Sequence, residues 1–408
     1  MNELLVGLDI GTTKVCAIIA AIEEGNRMNI LGIGKSTNEG MNRGTVTHID
    51  KTVRSIQCAI QDAESQSGIK VRAVNVGIAG DHIQSFQSRG VIAISNQDNE
   101  ITRKDVERLI QDTKRVALPT DRRIIHVIPQ EFIVDGQDGV YDPVGMSGVR
   151  MEANVHIITG SITATQNIYK CVERAGLEVN DLVLEPLASS YAVLDEEEKE
   201  VGIVLVDIGG GTTDIAIFED RTIRHTAVLA IAGKKVTEDI RKGLGILNEQ
   251  AEKLKRDHGY AYLPEIVNDV PITLPGIGGR NPMEINRTLL CQIIQPRMEE
   301  IIEIVGMEIK RSGYSKHLHS GIVMTGGGAL IKGTTALARE ILGMPVKIGI
   351  PGGFHAGLVH EVENPMYATC VGLVLHGAMN RTLPRYSIKE NGHKPNIIKK
   401  IAEWFNEL

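Results

Sequence analysis

Apolar runs interrupted by glycine and threonine occur both at the start and in the middle of the chain. The segments Leu4–Ala20 (LLVGLDIGTTKVCAIIA) and Gly202–Phe218 (GIVLVDIGGGTTDIAIF) share one plan: an apolar run, Asp-Ile-Gly, a turn of small residues and a second apolar run. Apolar runs joined by such turns are typical of β-hairpins. Two copies of one hairpin predict two related domains, the second copy having two extra turn residues.

Between the two hairpins, strand-like runs surround one amphipathic helix. Thr102 and Asp105 form a capping-box pattern at the start of that helix. This change of pattern predicts a small α+β insert, residues 81–154, within the first domain. The charged run DEEEKE, residues 195–200, precedes the second hairpin and marks the predicted boundary between the domains.

In the second domain the pattern predicts two short helices, broken near Gly243 and Gly245. A hairpin-like stretch, residues 267–276, follows them, and a long helix is predicted from about Pro282 to Ser312. After Gly377 the apolar pattern gives way to a polar stretch, which is typical of a linker.

The last residues of the chain predict a helix with a single apolar face. Helical spacing aligns six apolar side chains, and these are Ile397, Ile398, Ile401, Trp404, Phe405 and Leu408. A helix of about a dozen residues is marginal alone in water, so it needs a surface to lie against. That surface is either the protein's own core or a membrane, and the polar stretch before the helix favours the membrane.

Composition excludes several classes of protein. The chain has 408 residues, 42% hydrophobic and 23% charged, as expected for a globular protein large enough for two domains. A formal net charge of −7 argues against a nucleic-acid binder. The five cysteines are scattered and form no CxxC pair, which favours reduced thiols in the cytoplasm. No apolar run approaches the ~18 residues of a membrane span.

Three glycine-rich turns, each at the end of an apolar run, carry the candidate chemistry. Backbone amides in such turns can point together at a phosphate, because glycine has no Cβ to block the approach. Any one of them alone is more often a plain tight turn, but three in this order predict nucleotide binding. The predicted nucleotide-binding residues are Gly11, Thr12, Thr13 and Lys14 in the first turn, Gly209, Gly210, Gly211, Thr212 and Thr213 in the second, and Gly326, Gly327, Gly328 and Ala329 in the third.

Three carboxylates extend the predicted site. Asp9 and Asp207, at the ends of apolar runs, are suited to hold Mg²⁺ through water, because magnesium keeps several waters of its own. Glu185 stands at the predicted start of a helix, where a negative charge is favourable. Its alternative role is catalytic, with the carboxylate orienting a water toward the terminal phosphate of the nucleotide.

These motifs resemble those of the actin-like ATPase superfamily, whose members have two duplicated domains around a nucleotide cleft. DIGTTK resembles the first phosphate loop, DIGGGTTD the second and TGGGALI the adenosine motif, while EPLASS and ATCVGLVLHG resemble the two connecting helices. Within the superfamily, essentially the whole chain is similar to the FtsA family of bacterial cell-division proteins. The stretches GMNRGTVTHID and IIQPRMEEIIEIV are among those that carry this likeness.

The resemblance implies an α/β, actin-like fold of two duplicated ribonuclease-H-like domains with a small SHS2-like insert. Glu252 and Lys255, in the second domain, are added to the predicted nucleotide site. The implied subdomains are IA at residues 1–80 and 155–200, IC at 81–154, IIA at 201–232 and 313–380, and IIB at 233–312, followed by a linker at 381–395 and a membrane-targeting helix at 396–408.

The resemblance also implies a function. FtsA proteins bind ATP with Mg²⁺, polymerise and hold the FtsZ ring at the cytoplasmic face of the membrane, where other division proteins join; whether this chain hydrolyses ATP is left open. Asn286, Arg287 and Arg297 are candidates to hold the acidic FtsZ tail, or they belong to a solvated face. The alternative functions are a pilus-assembly or shape-determining actin homologue and a small-molecule kinase of the same superfamily.

Overall fold

The structure is a computed structural model that describes residues 3–23, 27–95, 98–276 and 281–382. The predicted membrane-targeting helix and most of the predicted linker therefore lie outside the described residues. Among the helices that are described, none combines the length and apolar character that a bilayer crossing requires.

Nineteen strands and eleven α-helices make up the described part of the chain. The strands are β1 (Glu3–Ile10), β2 (Lys14–Ile22), β3 (Met28–Thr37), β4 (Met41–Asn42), β5 (Thr45–Val46), β6 (Ala73–Ile78), β7 (Gln84–Ala93), β8 (Arg122–Val134), β9 (Gln137–Val140), β10 (Arg150–Ser161), β11 (Glu178–Leu184), β12 (Ile203–Ile208), β13 (Thr213–Glu219), β14 (Thr222–Leu229), β15 (Pro271–Leu274), β16 (Met283–Asn286), β17 (Ile322–Thr325), β18 (Val346–Ile348) and β19 (Ala356–Gly357). The helices are α1 (Ile49–Ser67), α2 (Arg103–Thr113), α3 (Ile162–Arg174), α4 (Glu185–Val193), α5 (Glu196–Val201), α6 (Gly233–Leu244), α7 (Asn248–His258), α8 (Arg287–Arg311), α9 (Thr334–Leu342), α10 (Val359–Val362) and α11 (Ala368–Thr382).

The first domain is built on a six-stranded sheet with the strand order β11-β6-β1-β2-β3-β19. Side chains alternate along β1 and β2, so the sheet has an apolar layer on each face. Leu8 and Ile19 pack in the layer that contains α1 and α3, whereas Cys16 and Ile18 pack in the layer that contains α11. The sheet is therefore buried on both faces, as its continuous apolar runs predict.

The end of the described chain belongs to the first domain, and the prediction that residues 313–380 all lie in the second domain is wrong. Strand β19 pairs with β3, and α11 packs on β1 and β2. A Cβ added at Gly7 would lie 2.5 Å from the carbonyl oxygen of Cys370, so the glycine lets the helix approach the strand closely. Helix α11 also runs to Thr382, two residues into the predicted linker.

The insert is a four-stranded sheet, β7-β10-β8-β9, with α2 packed against it. Its predicted end at residue 154 is too early, because β10 continues to pair with β8 as far as Ser161. The added part of the strand includes Val155, Ile157 and Ile158, which are fully buried. Ile158 packs in the layer of the first domain that contains α1 and α3, so the strand reaches into that domain.

The second domain has a five-stranded sheet, β14-β13-β12-β17-β18, which confirms the two-domain prediction. Helices α6 and α7 are separated as predicted, with Gly245 in the left-handed backbone region at φ 63°. The long helix begins five residues later than predicted, at Arg287, because Met283–Asn286 pairs with β15. Asn286 ends that strand and caps the helix by accepting a hydrogen bond from the Leu289 amide at 2.9 Å.

Candidate functional site

A cleft lies between the two domains, where the turn after β1 faces the turn after β12. It contains about 730 Å³ of space, a figure that includes open solvent. Its lining contains predicted site residues from both domains, namely Asp9, Gly11, Thr12, Thr13, Lys14, Glu185, Asp207, Gly209, Gly210, Gly211, Thr212, Gly326 and Gly327. The structure thus brings the three glycine-rich turns together at one place.

The two facing turns have the same length, so the predicted extra residues of the second copy do not exist. Ile10 pairs with Val15 around the first turn, and Ile208 pairs with Thr213 around the second, leaving four residues in each. Each turn is closed by the same hydrogen bond, from the amide of its first glycine to the carbonyl of its fourth residue, at 2.9 Å. Thr12 and Thr13 therefore do not occupy the same positions as Thr212 and Thr213.

The two turns touch each other across the cleft. A Cβ added at Gly210 would lie 2.6 Å from Oγ1 of Thr13, and one added at Gly211 would lie 2.4 Å from Oγ1 of Thr12. Any larger side chain at either glycine would push the turns apart. The glycines of the second turn are therefore required for the threonines of the first turn to approach.

Four acidic side chains line the cleft, and Lys14 is the only basic one among its lining residues. Burial raises the pKa of Asp9, Glu185, Asp207 and Asp214 above the usual range of a carboxyl group. For Glu185 and Asp214 the rise is large, because neighbouring carboxylates add to the effect of burial. The cleft thus places four carboxyl groups close together, and a bound cation would favour their charged forms.

Asp207 and Asp214 face each other across the second hairpin, where they are paired in register. Burial raises the pKa of Asp207 to about 6, and hydrogen bonds from Ser189 at 2.9 Å and Thr369 at 3.3 Å oppose the rise. Asp214 accepts from Oγ1 of Thr212 at 3.0 Å through one oxygen, while its other oxygen, Oδ1, is buried without a partner in the described residues.

Lys14 is held in place by three contacts on its own side of the cleft. Its ammonium lies 3.9 Å from Asp9, donates a hydrogen bond to the carbonyl of Met366 and lies 4.9 Å from the centre of the Tyr367 ring. Met366 and Tyr367 directly precede α11, so this helix also positions the lysine. The ammonium is fixed at the edge of the first turn, as a phosphate ligand requires.

Glu185 is the first residue of α4 and lies beside the end of β6. A Cβ added at Gly77 would lie 3.0 Å from Cγ of Glu185, so this glycine makes room for the acidic side chain. The start of a helix favours a charged carboxylate and would lower its pKa. The pKa of Glu185 is instead strongly raised, so the helix position alone does not explain this residue. The half-buried, cleft-lining position favours the functional interpretation of Glu185 over the purely structural one.

The carboxylates suit a hydrated magnesium ion. A divalent cation would offset the burial of Asp207 and Asp214 and would give Oδ1 of Asp214 a partner through water. In the described ranges no three His, Cys, Asp or Glu side chains stand close enough to hold a metal directly. The predicted mode, in which Asp9 and Asp207 act through water, needs no such cluster.

The other predicted nucleotide residues lie just behind the lining. The Thr213 hydroxyl donates to the carbonyl of Ile231 at 2.7 Å instead of pointing into the cleft. Gly328 and Ala329 lie in a short helical turn, Gly327–Leu330, that packs on Ile208. Lys255 pairs with Glu252 at 2.7 Å and donates to the carbonyl of Gly233 at 3.1 Å, next to Gly328.

Sequence reasoning missed several residues that line the cleft or contact its carboxylates. Asp214 is the last residue of the quoted motif DIGGGTTD, and Ser189 and Thr369 lie within the quoted EPLASS and ATCVGLVLHG motifs. Their polar character within buried segments was the available signal. Gly44 and Pro365 also line the cleft, but only the three-dimensional fold brings them there.

The three predicted partner residues differ in the contacts they make. Arg297 pairs with Asp239 at 2.6 Å and also contacts Glu300, so its charge is already neutralised. Arg287 lies over the ring of Tyr260 at 5.8 Å and keeps Nε without a hydrogen-bond partner in the described part of the chain. Asn286 donates to Asp269 at 2.9 Å. The six predicted membrane residues lie outside the described residues.

Three family models match the chain. The model "Cell division protein FtsA" matches residues 204–372, and "SHS2 domain inserted in FTSA" matches residues 80–159. The model "Hsp70 protein" matches residues 163–235. The second of these matches coincides with the four-stranded insert.

Several solved structures share the fold. The PilM–PilN type IV pilus biogenesis complex aligns with a TM-score of 0.68 and 16% identity, over 92% of this chain and 98% of that one. MreB5 of Spiroplasma citri bound to ADP aligns with a TM-score of 0.57 and 16% identity, over 94% and 99% of the two chains. At this identity the likeness shows the fold alone, and that fold is the predicted actin-like one.

Curated relatives extend the likeness to the whole chain. A cell division protein FtsA of Pseudomonas aeruginosa is 42% identical, over 99% of this chain and 97% of its own. The FtsA protein of Escherichia coli K12 is 40% identical, over 100% and 97% of the two chains. Identity at this level over full length, together with the matched insert, shows that the chain belongs to the FtsA family of actin-like cell-division proteins.

Proposed function

We propose that the cleft binds ATP with Mg²⁺, the phosphates lying between the first and second turns. The observation that carries this proposal is the meeting of two equivalent glycine-rich turns around buried carboxylates and the Lys14 ammonium. Backbone amides and a fixed ammonium favour phosphate groups, and the carboxylates favour a divalent cation. The nucleotide ADP named for the MreB5 structure agrees with this assignment.

Each group of residues has its own part in binding. The amides of both turns and Lys14 hold the phosphates, while Asp9 and Asp207, with Asp214 behind them, hold the hydrated metal ion. The metal ion would neutralise phosphate charge when bound. Glu185 orients a water at the phosphate end of the cleft, and the third turn, with Glu252 and Lys255, supports the nucleoside.

Equilibrium titration of the purified protein with Mg-ATP tests the proposal. Wild type binds, and Asp207→Ala loses binding because the metal-side carboxylate is removed. Asp112→Ala is the matched control, since Asp112 lies in α2 of the insert, away from the cleft. Equal ATP affinity in wild type and a folded Asp207→Ala variant would contradict the nucleotide assignment.

We further infer that the protein polymerises and links the FtsZ ring to the cytoplasmic face of the membrane. Membership of the FtsA family supports this inference. Around Arg287, two cations face the ring of Tyr260, because Lys332 lies 5.4 Å from its centre. A basic and aromatic surface of this kind suits an acidic, extended peptide, and its binding would weaken with salt.

The affinity of a fluorescent FtsZ C-terminal peptide for variants of the protein measures how much each basic residue contributes to binding. Arg287→Glu is expected to weaken binding, whereas Arg297→Ala has a smaller effect because Asp239 and Glu300 already neutralise Arg297. Arg311→Glu, on the last turn of the same helix, is the control for net charge. Peptide binding that survives charge reversal at Arg287 and Arg297 together would exclude this surface.

Residues 396–408 are proposed to tether the protein to the membrane, with Trp404 at the headgroup level. Four lysines from residue 389 onward are offset by three glutamates and the terminal carboxylate, so binding depends on the apolar face. Each single anchor binds weakly, and a filament gains avidity from many. Co-sedimentation with lipid vesicles, with and without ATP, tests this tether. Wild type is expected to sediment with the vesicles, whereas Trp404→Glu and a chain ending at Gly392 are expected to stay in the supernatant. Equal sedimentation of wild type and Trp404→Glu would overturn the tether.

A further inference from the structure

Arg43 occupies an unusual position at the tip of a two-residue hairpin beside the cleft. Asn42 pairs with Thr45, so Arg43 and Gly44 alone form the loop between β4 and β5. Both have a left-handed backbone, with φ of 48° and 75°. Such loops favour Asn-Gly or Asp-Gly, because other side chains are strained in this region. An arginine here indicates that its side chain has a use that outweighs the strain.

The tip of this hairpin is fixed against the cleft. Gly44 lines the cleft, and its amide donates to Oγ1 of Thr12, in the first turn, at 3.3 Å. A Cβ added at Gly44 would lie 2.3 Å from the carbonyl of Ala79, so no larger residue fits there. Arg43 is therefore held one residue from the lining, with its backbone carbonyl close to Gly80, two residues after β6.

A second arginine in the same backbone conformation provides a comparison. Arg221 also has a left-handed backbone, with φ of 61°, in the turn between β13 and β14. Its guanidinium is paired with Glu200 at 2.5 Å. Arg43 is exposed, and no hydrogen bond or ion pair of its guanidinium occurs among the residues that the structure describes. Unlike the guanidinium of Arg221, the guanidinium of Arg43 is therefore available to bind a ligand.

The charges that line the cleft indicate which ligand group the Arg43 guanidinium would bind. Four carboxylates and one ammonium line the cleft, so a nucleoside triphosphate needs further positive charge even beside a divalent ion. The hairpin stands at the Glu185 end of the cleft, since Ala79 follows the strand that contacts Glu185. In the proposed nucleotide site, the third turn and Lys255 support the nucleoside and Glu185 orients a water at the phosphate end. On that assignment the terminal phosphate lies at the end of the cleft beside Arg43.

We propose that Arg43 binds the terminal phosphate of the nucleoside triphosphate and makes the site select triphosphate over diphosphate. This inference rests on the proposed nucleotide function and deepens it. Guanidinium groups form strong charge-assisted hydrogen bonds to phosphate oxygens. A diphosphate lacks the group that Arg43 would contact, so its affinity would not depend on this residue.

Titration of Mg-ADP and of Mg-ATP, or its non-hydrolysable analogue, into Arg43→Asn tests the inference. Asparagine tolerates the left-handed backbone, so the variant should melt at or above the wild-type temperature. ATP affinity is expected to fall about tenfold or more, equivalent to about 1.4 kcal/mol, with ADP affinity unchanged. Arg43→Lys should retain part of the affinity, and Arg221→Asn is the matched control with no effect on either nucleotide.

Two results would overturn the inference while leaving the nucleotide site intact. One is wild-type ATP affinity in Arg43→Asn, and the other is an equal loss of ATP and ADP affinity. If wild type bound neither nucleotide, the proposed function itself would fail, and the role of Arg43 with it.

Discussion

In the first turn the residue paired with Asp9 is Cys16, whereas in the second turn the residue paired with Asp207 is Asp214. The fourth residue also differs, since Lys14 in the first turn is replaced by Thr212 in the second. One backbone thus carries a carboxylate with an ammonium on one side of the cleft and two carboxylates with hydroxyl donors on the other. On this difference we propose that Lys14 gives the first turn the larger share in phosphate binding, and that Asp207 and Asp214 give the second turn the larger share in metal binding.

The largest expected effect comes from separating the two turns. A glutamate at position 210 has no room beside Thr13, so Gly210→Glu should force the turns apart and reduce ATP affinity about 100-fold or more, equivalent to about 2.7 kcal/mol. Titration calorimetry on the folded variant measures this change. Gly352→Glu is the control, because a Cβ at Gly352 meets nothing within 4 Å. An unchanged affinity in Gly210→Glu would show that the contact between the turns is irrelevant to binding.

A second effect, of similar size, should appear in the stability of the nucleotide-free protein. The pKa of Asp207 is about 6 in the folded state against 3.8 for an unperturbed group. Between these values the folded state holds more protons than the unfolded chain, so the free energy of unfolding falls as pH rises. Asp207→Asn should therefore stabilise the protein by up to about 3 kcal/mol at pH 7.5, and the gain should vanish near pH 4.

Asp9→Asn sharpens the same comparison. This substitution also relieves a buried carboxylate, but it leaves the Lys14 ammonium without its partner, so we expect a smaller gain than at position 207. Urea denaturation at several pH values measures both variants. Equal gains at the two positions, or a gain that does not depend on pH, would contradict the assigned difference between the turns.

The smallest expected effect concerns the hydroxyl donor of the second turn. Thr212→Val removes the hydrogen bond to Asp214, whose other oxygen has no partner in the described residues. We expect a loss of about 1 kcal/mol in the free energy of unfolding at pH 7.5, typical of one buried hydrogen bond. Thr222→Val, at a turn away from the cleft where the hydroxyl donates to the carbonyl of Glu219, is a matched control for stability only. Wild-type stability of Thr212→Val would show that Asp214 does not depend on this donor.

Local patterns in the sequence were enough to predict the hairpins, the glycine-rich turns and the short helices. Alternating apolar residues and turn glycines act over a few residues, so they can be read directly. The alignment of the two turns could not be read in this way, and the prediction of two extra residues in the second turn was wrong. Only the strand register shows that Thr212 replaces Lys14 and that Asp214 replaces Cys16.

Contacts between distant residues account for the remaining errors. The packing of α11 on the first sheet depends on Gly7, which lies far from Cys370 in the sequence. The ion pair between Arg297 and Asp239 on another helix could not be read from the sequence either, and partner binding by Arg297 stays a prediction. Similarly, the start of α8 was misplaced because Met283–Asn286 pairs with β15, whereas the local pattern placed the whole hairpin-like stretch at residues 267–276.

The most direct test of the division of roles between the turns is the ATP affinity of two variants, Lys14→Met and Asp214→Asn, measured with Mg²⁺ and with a chelator. Lys14→Met should bind ATP weakly in the chelator and still gain affinity when Mg²⁺ is added. Asp214→Asn should bind at least as well as wild type in the chelator, because one negative charge is gone, and should gain little from Mg²⁺. The same Mg²⁺ dependence in both variants as in wild type would contradict the account.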